Sequence, residues 1–331
     1  MSQPRFGRMI PAMVTPFDEN RELDLNKAQA LAARLVDGGS DSLIINGTTG
    51  ESPTVFYPQK MELFRAVVEA VGDRVPVIAN VGDNCTADTV NFARDVAELG
   101  VDGFMCVVPY YNKPPQEGMY QHFRTIADAV ELPIILYNIP GRCVVNMEAE
   151  TTLRLAHDCG NVVAVKEASG KMDQIKAIVD GAPDDFAVYS GDDAATFDIM
   201  KLGGTGVIST IGNVSPARMK EIVDLCAAGD WEAAAAANER LMPLMTGLFE
   251  TSNPILVKEA LKLWVSPWAA CACRSWTPPP SSPSAWPRSC ARWACSTRKR
   301  SAETVRARRA MRRSARTVST KKDRSIARSD A

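Results

Sequence analysis

The 331-residue chain has two histidines, His122 and His157, and nine cysteines without a single Cys-x-x-Cys pair. These counts argue against a histidine-built metal centre, a zinc site or a disulfide framework. No apolar run approaches the roughly 20 residues that span a bilayer. The opening Met1-Ser2-Gln3-Pro4-Arg5 lacks the apolar stretch of a signal peptide, so a cytoplasmic protein is expected. No Gly-x-Gly-x-x-Gly opens a helix after the first apolar run, which counts against a doubly wound, dinucleotide-binding sheet. What is abundant is core material. Hydrophobic residues make up 46% and charged residues 23%, enough for two domains or for one large α/β barrel with an appendage.

The formal charge of -1 conceals a split, because residues 265–331 hold 16 Lys/Arg against 3 Asp/Glu. The remainder is correspondingly acidic, and an acidic body does not suggest nucleic-acid binding.

Eight short apolar runs recur along the body: Met9–Val14, Ser42–Ile45, Val75–Ala79, Gly103–Val107, Pro133–Tyr137, Val162–Lys166, Ala187–Tyr189 and Gly206–Ser209. The segments between them repeat apolar residues at helical spacing, as in Leu25, Ala28, Leu31, Ala32 and Leu35. Strands alternating with helices predict parallel βα units, and eight of them predict a closed (β/α)8 TIM barrel over 1–228. The helical patterns Trp231–Leu248 and Asn253–Leu263 predict a small C-terminal helical appendage over 229–264.

Barrel enzymes place their chemistry where strands end. Strand two ends in Asn46-Gly47-Thr48-Thr49-Gly50-Glu51, and strand four in Pro109-Tyr110-Tyr111-Asn112-Lys113. Strand five ends in Tyr137-Asn138-Ile139-Pro140-Gly141-Arg142, and strand six in Lys166-Glu167-Ala168-Ser169-Gly170. Lys166 closes an apolar strand, where desolvation would leave a neutral amine able to attack a carbonyl; a lysine that merely snorkels to solvent fits the same position. Thr48 and Thr49 could bind a carboxylate, or simply turn the chain. Tyr111 and Tyr137 could relay protons or only pack their rings. Arg142 suits bidentate carboxylate recognition, or an ordinary surface position. His122 and His157 fall in helical patterns and read as structural, and Cys85, Cys106, Cys143, Cys159 and Cys226 read as inert.

Taken together and in order, Gly-Thr-Thr-Gly-Glu, Pro-Tyr-Tyr-Asn-Lys, Tyr-Asn-Ile-Pro-Gly-Arg and Val-Lys-Glu-Ala-Ser-Gly are far more specific than any one string. From about Gly7 to Leu263 the chain resembles the dihydrodipicolinate synthase family of pyruvate-dependent class I aldolases, the superfamily that includes N-acetylneuraminate lyase. The resemblance implies a lyase of lysine and diaminopimelate biosynthesis that condenses pyruvate with L-aspartate 4-semialdehyde, needs no cofactor and assembles as a homotetramer. It implies Lys166 as the Schiff-base lysine and Thr48, Tyr137 and Tyr111 as a proton relay, with Tyr111 reaching in from a neighbouring subunit. Thr49 would hold the pyruvate carboxylate and Arg142 that of the second substrate, with Gly191 and Ile208 lining the pocket. Sialate lyases carry Gly-Ser-Thr-Gly-Glu and lack the arginine, so Thr48 and Arg142 favour the synthase. Cys143 departs from the small threonine usual after that arginine. A sugar-acid aldolase and an inactive paralogue remain the alternatives.

The same resemblance places a lysine-effector site at Ser52, Pro53, Tyr57, Lys60, Asn84, Asp88 and Tyr110. Lys60 stands where lysine-sensitive members carry histidine, and its ammonium would repel a cationic effector. The likeness ends at Leu263. Beyond it there is no Leu, Gly, Phe, Tyr, Asn or Gln, while five of the six Trp fall between Trp264 and Trp293. Shifting Trp264–Arg274 by one base in G+C-rich codons restores a Gly- and Leu-rich string such as the family carries. Residues 265–331 are therefore expected to be an out-of-frame, disordered tail, against the alternative of a basic nucleic-acid-binding arm using Arg306, Arg308, Arg309, Arg312 and Arg313.

Overall fold

The computed structural model describes residues 4–264. Eight strands alternate with helices: β1 (Met9–Pro11), β2 (Leu43–Ile45), β3 (Val77–Asn80), β4 (Gly103–Val107), β5 (Ile134–Asn138), β6 (Val162–Glu167), β7 (Ala187–Ser190) and β8 (Gly206–Ser209). They form one parallel sheet in the order β1-β8-β7-β6-β5-β4-β3-β2. The seam between β1 and β2 is closed by a parallel bridge from Ala12 to Ile44, where the Met13 N–H donates to the Ile44 carbonyl at 2.8 Å. The strands are buried on both faces, and for that reason they read in sequence as apolar runs rather than as alternations.

Two boundaries differ from expectation for physical reasons. β1 stops at Pro11 instead of Val14, because the chain there swings from β8 toward β2 and the Val14 N–H goes to Asn213 Oδ1 at 3.0 Å. β3 starts after Pro76, which has no N–H to offer a ladder.

Inside the barrel, Ile10, Ile44, Ile78, Met105, Ile135, Ala164 and Ile208 pack into one cluster. Side chains alternate along a strand, so Tyr137, two past Ile135, and Lys166, two past Ala164, face the same interior at the carboxyl ends. The register pairs Tyr137 with Lys166 directly across β5 and β6.

Helix Pro216–Ala227 completes the barrel's outer layer, and helices Trp231–Gly247 and Ile255–Trp264 follow it. The last helix turns a buried stripe of Val257, Lys258, Ala260 and Leu261 toward the body. Among the described residues no helix is long and apolar enough to cross a membrane. The expectation of an out-of-frame tail over 265–331 lies outside the described residues. His122 is buried, with Nδ1 2.8 Å from Thr86 Oγ1, and His157 Nε2 lies 3.1 Å from the Gly181 carbonyl oxygen.

Candidate active site

A cavity of about 230 Å³ opens at the carboxyl ends of the strands, with Thr48, Tyr110, Tyr137, Arg142 and Cys143 in its wall. Lys166, Thr49 and Ile208 sit deeper, at 5%, 2% and 1% exposure. The Lys166 ammonium lies 4.2 Å from the centroid of the Tyr137 ring. Burial pushes its pKa down from 10.5 to about 8; Asp193 pulls it back up, and Arg142 adds to the depression. A lysine in this state holds an appreciable neutral fraction near physiological pH, which is what attack on a carbonyl requires. The snorkelling alternative does not describe this side chain.

Tyr137 is itself buried, which pushes its phenol up to about 12, while a hydrogen bond with Thr48 and the positive charge of Arg142 work in the opposite direction. The phenol is therefore a protonated donor at neutral pH, coupled to a threonine hydroxyl that can pass a proton on.

The loop after β2 is a tight, inward-facing turn. The Glu51 N–H donates to the Thr48 carbonyl at 3.0 Å and the Ser52 N–H to the Gly47 carbonyl at 3.2 Å. A Cβ on Gly50 would stand 3.0 Å from the Asn46 backbone and 3.1 Å from the Met13 carbonyl oxygen. The Thr49 hydroxyl accepts from Asn253 Nδ2 at 2.8 Å and lies 3.4 Å from Thr210 Oγ1.

Arg142 comes from the short helix Pro140–Cys143 and is aimed by the segment before helix Ile255–Trp264: its Nη2 donates to the Asn253 carbonyl at 3.0 Å. Val144, directly after this helix, holds φ 63°, a conformation costly for a β-branched residue. The buried Cys143 thiol lies beside Arg142, and burial raises its pKa to about 11, so it stays a neutral thiol.

No sequence motif singles out Asp193, yet it organises the floor of the site. Buried at 2% exposure, it accepts from Ser209 Oγ at 2.5 Å and from the N–H groups of Thr210 and Ile211 at 2.9 and 3.0 Å. Its pKa is pushed up to about 6 by burial, against the pull of those hydrogen bonds. Near neutral pH it is the anion facing Lys166. Gly191 has no room for a side chain, because a Cβ there would stand 2.6 Å from that of Ala168. Glu167, next to Lys166, faces away and braces the strand ends, accepting from Asn138 Nδ2 at 3.1 Å and from the Ser169 N–H at 2.7 Å.

The seven proposed effector positions do not form one separate pocket. Tyr57 and Asp88 line a neighbouring cavity of about 280 Å³, whereas Pro53 and Tyr110 line the first one. Ser52 and Lys60 line both. Asn84 stands behind the wall, donating to the Tyr110 carbonyl at 3.2 Å. Tyr110 in turn donates to Asp83 at 3.1 Å, and burial, followed by that carboxylate, raises its phenol to about 12. Tyr111 is not drawn into its own chain's cavity. It projects from the loop after β4 at 87% exposure with φ 70°.

Comparison with known proteins places this geometry. The model of the dihydrodipicolinate synthetase family matches residues 5–275, past Leu263, where the sequence likeness is expected to end. The chain is 55% identical over 259 residues to the 4-hydroxy-tetrahydrodipicolinate synthase of Moorella thermoacetica, covering 78% of this chain and 88% of that one. It is 52% identical over 257 residues to 4-hydroxy-tetrahydrodipicolinate synthase 1 of Halalkalibacterium halodurans, covering 78% and 87%. Among solved structures, the enzyme of Cyanidioschyzon merolae with lysine bound superposes with a TM-score of 0.78 at 45% identity, covering 79% of this chain and 89% of its own. Motif order, barrel geometry and continuous identity agree: the chain belongs to the dihydrodipicolinate synthetase family.

Proposed function

We propose that this chain condenses pyruvate with L-aspartate 4-semialdehyde to 4-hydroxy-tetrahydrodipicolinate, the first committed step of lysine and diaminopimelate biosynthesis, through a Schiff base on Lys166. The observation that carries the reading is a desolvated lysine, 4.2 Å from the ring of a phenol that is coupled to Thr48.

The neutral amine of Lys166 adds to the pyruvate ketone, and loss of water leaves an iminium. Positive charge on nitrogen makes the neighbouring methyl acidic, so a proton leaves to the Tyr137–Thr48 relay and an enamine forms. The enamine carbon attacks the aldehyde, and the resulting alkoxide takes a proton from the relay. The amine of the second substrate then attacks the iminium carbon and displaces Lys166, closing the ring; one water is lost overall. Thr49, with its hydroxyl and N–H, would hold the pyruvate carboxylate, and Arg142 that of the semialdehyde. The iminium supplies the electron sink, so the route calls for no metal or organic cofactor. Tyr111, exposed on a projecting loop, would complete the relay of a second copy in the homotetramer proposed for this chain. The test is treatment with pyruvate and borohydride: a trapped adduct mapped to Lys166 supports the reading, and a folded protein that traps nothing sinks it.

Two further outcomes follow from the same geometry. Asp193→Asn removes the anion that raises the Lys166 pKa, so the acid limb of the kcat/KM profile for pyruvate should move to lower pH, on the order of one pH unit. An unmoved or upward-shifted limb would show that Asp193 does not face the amine.

Lysine should inhibit weakly or not at all. Burial lowers the Lys60 pKa while Asp83 raises it, and its Nζ lies 5.5 Å from the Phe92 ring centroid, so a cation already stands in the cavity with Asp83, Asp88 and Asp95. Half-inhibition well below the millimolar range would contradict this.

A further inference from the structure

The mechanism leaves unused the most deeply buried cation of the described chain. Lys258, 1% exposed on the last helix, donates from Nζ to Glu51 Oε1 and lies 4.5 Å from the ring centroid of Phe17. The two side chains of this ion pair are 2% and 6% exposed. A buried pair of this kind is no better for stability than well-packed apolar residues, because desolvating both charges offsets their attraction. What it does supply is direction.

Glu51 is the residue that ends the Thr48-Thr49 turn. It holds φ 59°, a left-handed conformation that persists in a non-glycine residue only where surroundings enforce it. Just before the same helix, Asn253 makes two contacts from two different parts of itself. Its side-chain Nδ2 donates to Thr49 Oγ1 at 2.8 Å, and its main-chain carbonyl accepts from Arg142 at 3.0 Å. One short stretch of chain therefore reaches the loop after β2 at two points and the loop after β5 at one.

We propose that the segment from Asn253 to Lys258 is the positioning element of the active site: the Lys258–Glu51 pair fixes the Thr48-Thr49 turn, and Asn253 aims Thr49 with its side chain and Arg142 with its backbone. Neither Asn253 nor Lys258 touches the reacting atoms. This inference rests on the reaction proposed above, since it assigns Thr49 and Arg142 to the two carboxylates.

The split between side chain and backbone makes the inference testable in the full-length protein. Asn253→Ala removes the bond to Thr49 and keeps the carbonyl that holds Arg142. The KM for pyruvate should rise about tenfold, the worth of one well-made hydrogen bond to a binding group, while the KM for the semialdehyde changes less than about twofold. Lys258→Met leaves Glu51 buried without a partner and should raise the pyruvate KM and lower Tm together. The double variant Glu51→Gln/Lys258→Met removes both charges. Its Tm should recover while the pyruvate KM stays raised, which a merely structural pair would not do. If Lys258→Met does not fold, the double variant and Asn253→Ala still decide the matter. Recovery of KM together with Tm in the double variant would overturn the role of the pair, and an unchanged pyruvate KM in Asn253→Ala would overturn that of Asn253. A wild-type chain that traps no pyruvate would sink the reaction, and this inference with it. Equal half-saturation of trapping by the wild type and by Asn253→Ala would sink the inference alone.

Discussion

Lys166→Ala should form no pyruvyl adduct and should lose kcat by about 10⁴-fold or more, as removal of a covalent nucleophile typically does. The expectation follows from position. The residue is 5% exposed, faces the barrel interior beside Tyr137 and carries a pKa near 8, pushed down by burial. Lys60, in the adjoining cavity wall, is half-buried, and burial lowers its pKa as well, with Asp83 pulling it back up. It is the substitute nucleophile to watch. Intact-mass measurement after borohydride reduction decides the case: an adduct that persists in Lys166→Ala, mapped to Lys60, would transfer the nucleophile's role and overturn the assignment made here. Tm should be followed alongside, because the substitution also leaves Asp193 without the cation it faces.

Tyr137→Phe should come next in size, with kcat falling roughly 10²- to 10⁴-fold, the usual contribution of one acid–base group. Phenylalanine keeps the ring that lies 4.2 Å from the Lys166 Nζ and removes only the hydroxyl, so packing and the lysine's surroundings are largely retained. Burial raises the phenol to about 12, so the loss concerns a proton donor and relay rather than a phenolate. Pyruvate should still be trapped on Lys166, more slowly, while turnover collapses. A variant with kcat within about threefold of the wild type would show that Tyr137 serves only as a packed ring.

Much of this was legible in the chain itself. Gly103–Val107 and Gly206–Ser209 coincide with the strands found, because a parallel strand buried on both faces must be an unbroken apolar run bounded by polar turns. The site strings were legible for a related reason. The carboxyl ends of barrel strands are fixed in register by the ladder, so a lysine that closes such a run has a known height and a known side. That rule aims Lys166 into the barrel mouth, and the ladder then pairs it with Tyr137 across β5 and β6.

Other parts were not legible. Asn253 and Thr49 are separated by 204 positions, and Lys258 and Glu51 by 207, and no local pattern links them. Asp193 reads as one more acid in a loop until its carboxylate is found gathering Ser209, Thr210 and Ile211 while its charge acts on Lys166. The division of the effector positions between two cavities that share Ser52 and Lys60 also had no sequence signature.

The sequence alone determined the barrel and the four strand-end motifs, with Lys166 as the nucleophile that the family resemblance implies, because periodicity and strand termini are local properties that burial on two faces enforces residue by residue. Only the tertiary structure decided how acidic Lys166 is, what holds Thr49 and Arg142 in place, and that Tyr111 faces away from its own cavity. Desolvation, facing charges and buried ion pairs arise from whatever the fold brings together, and chain distance carries no information about that.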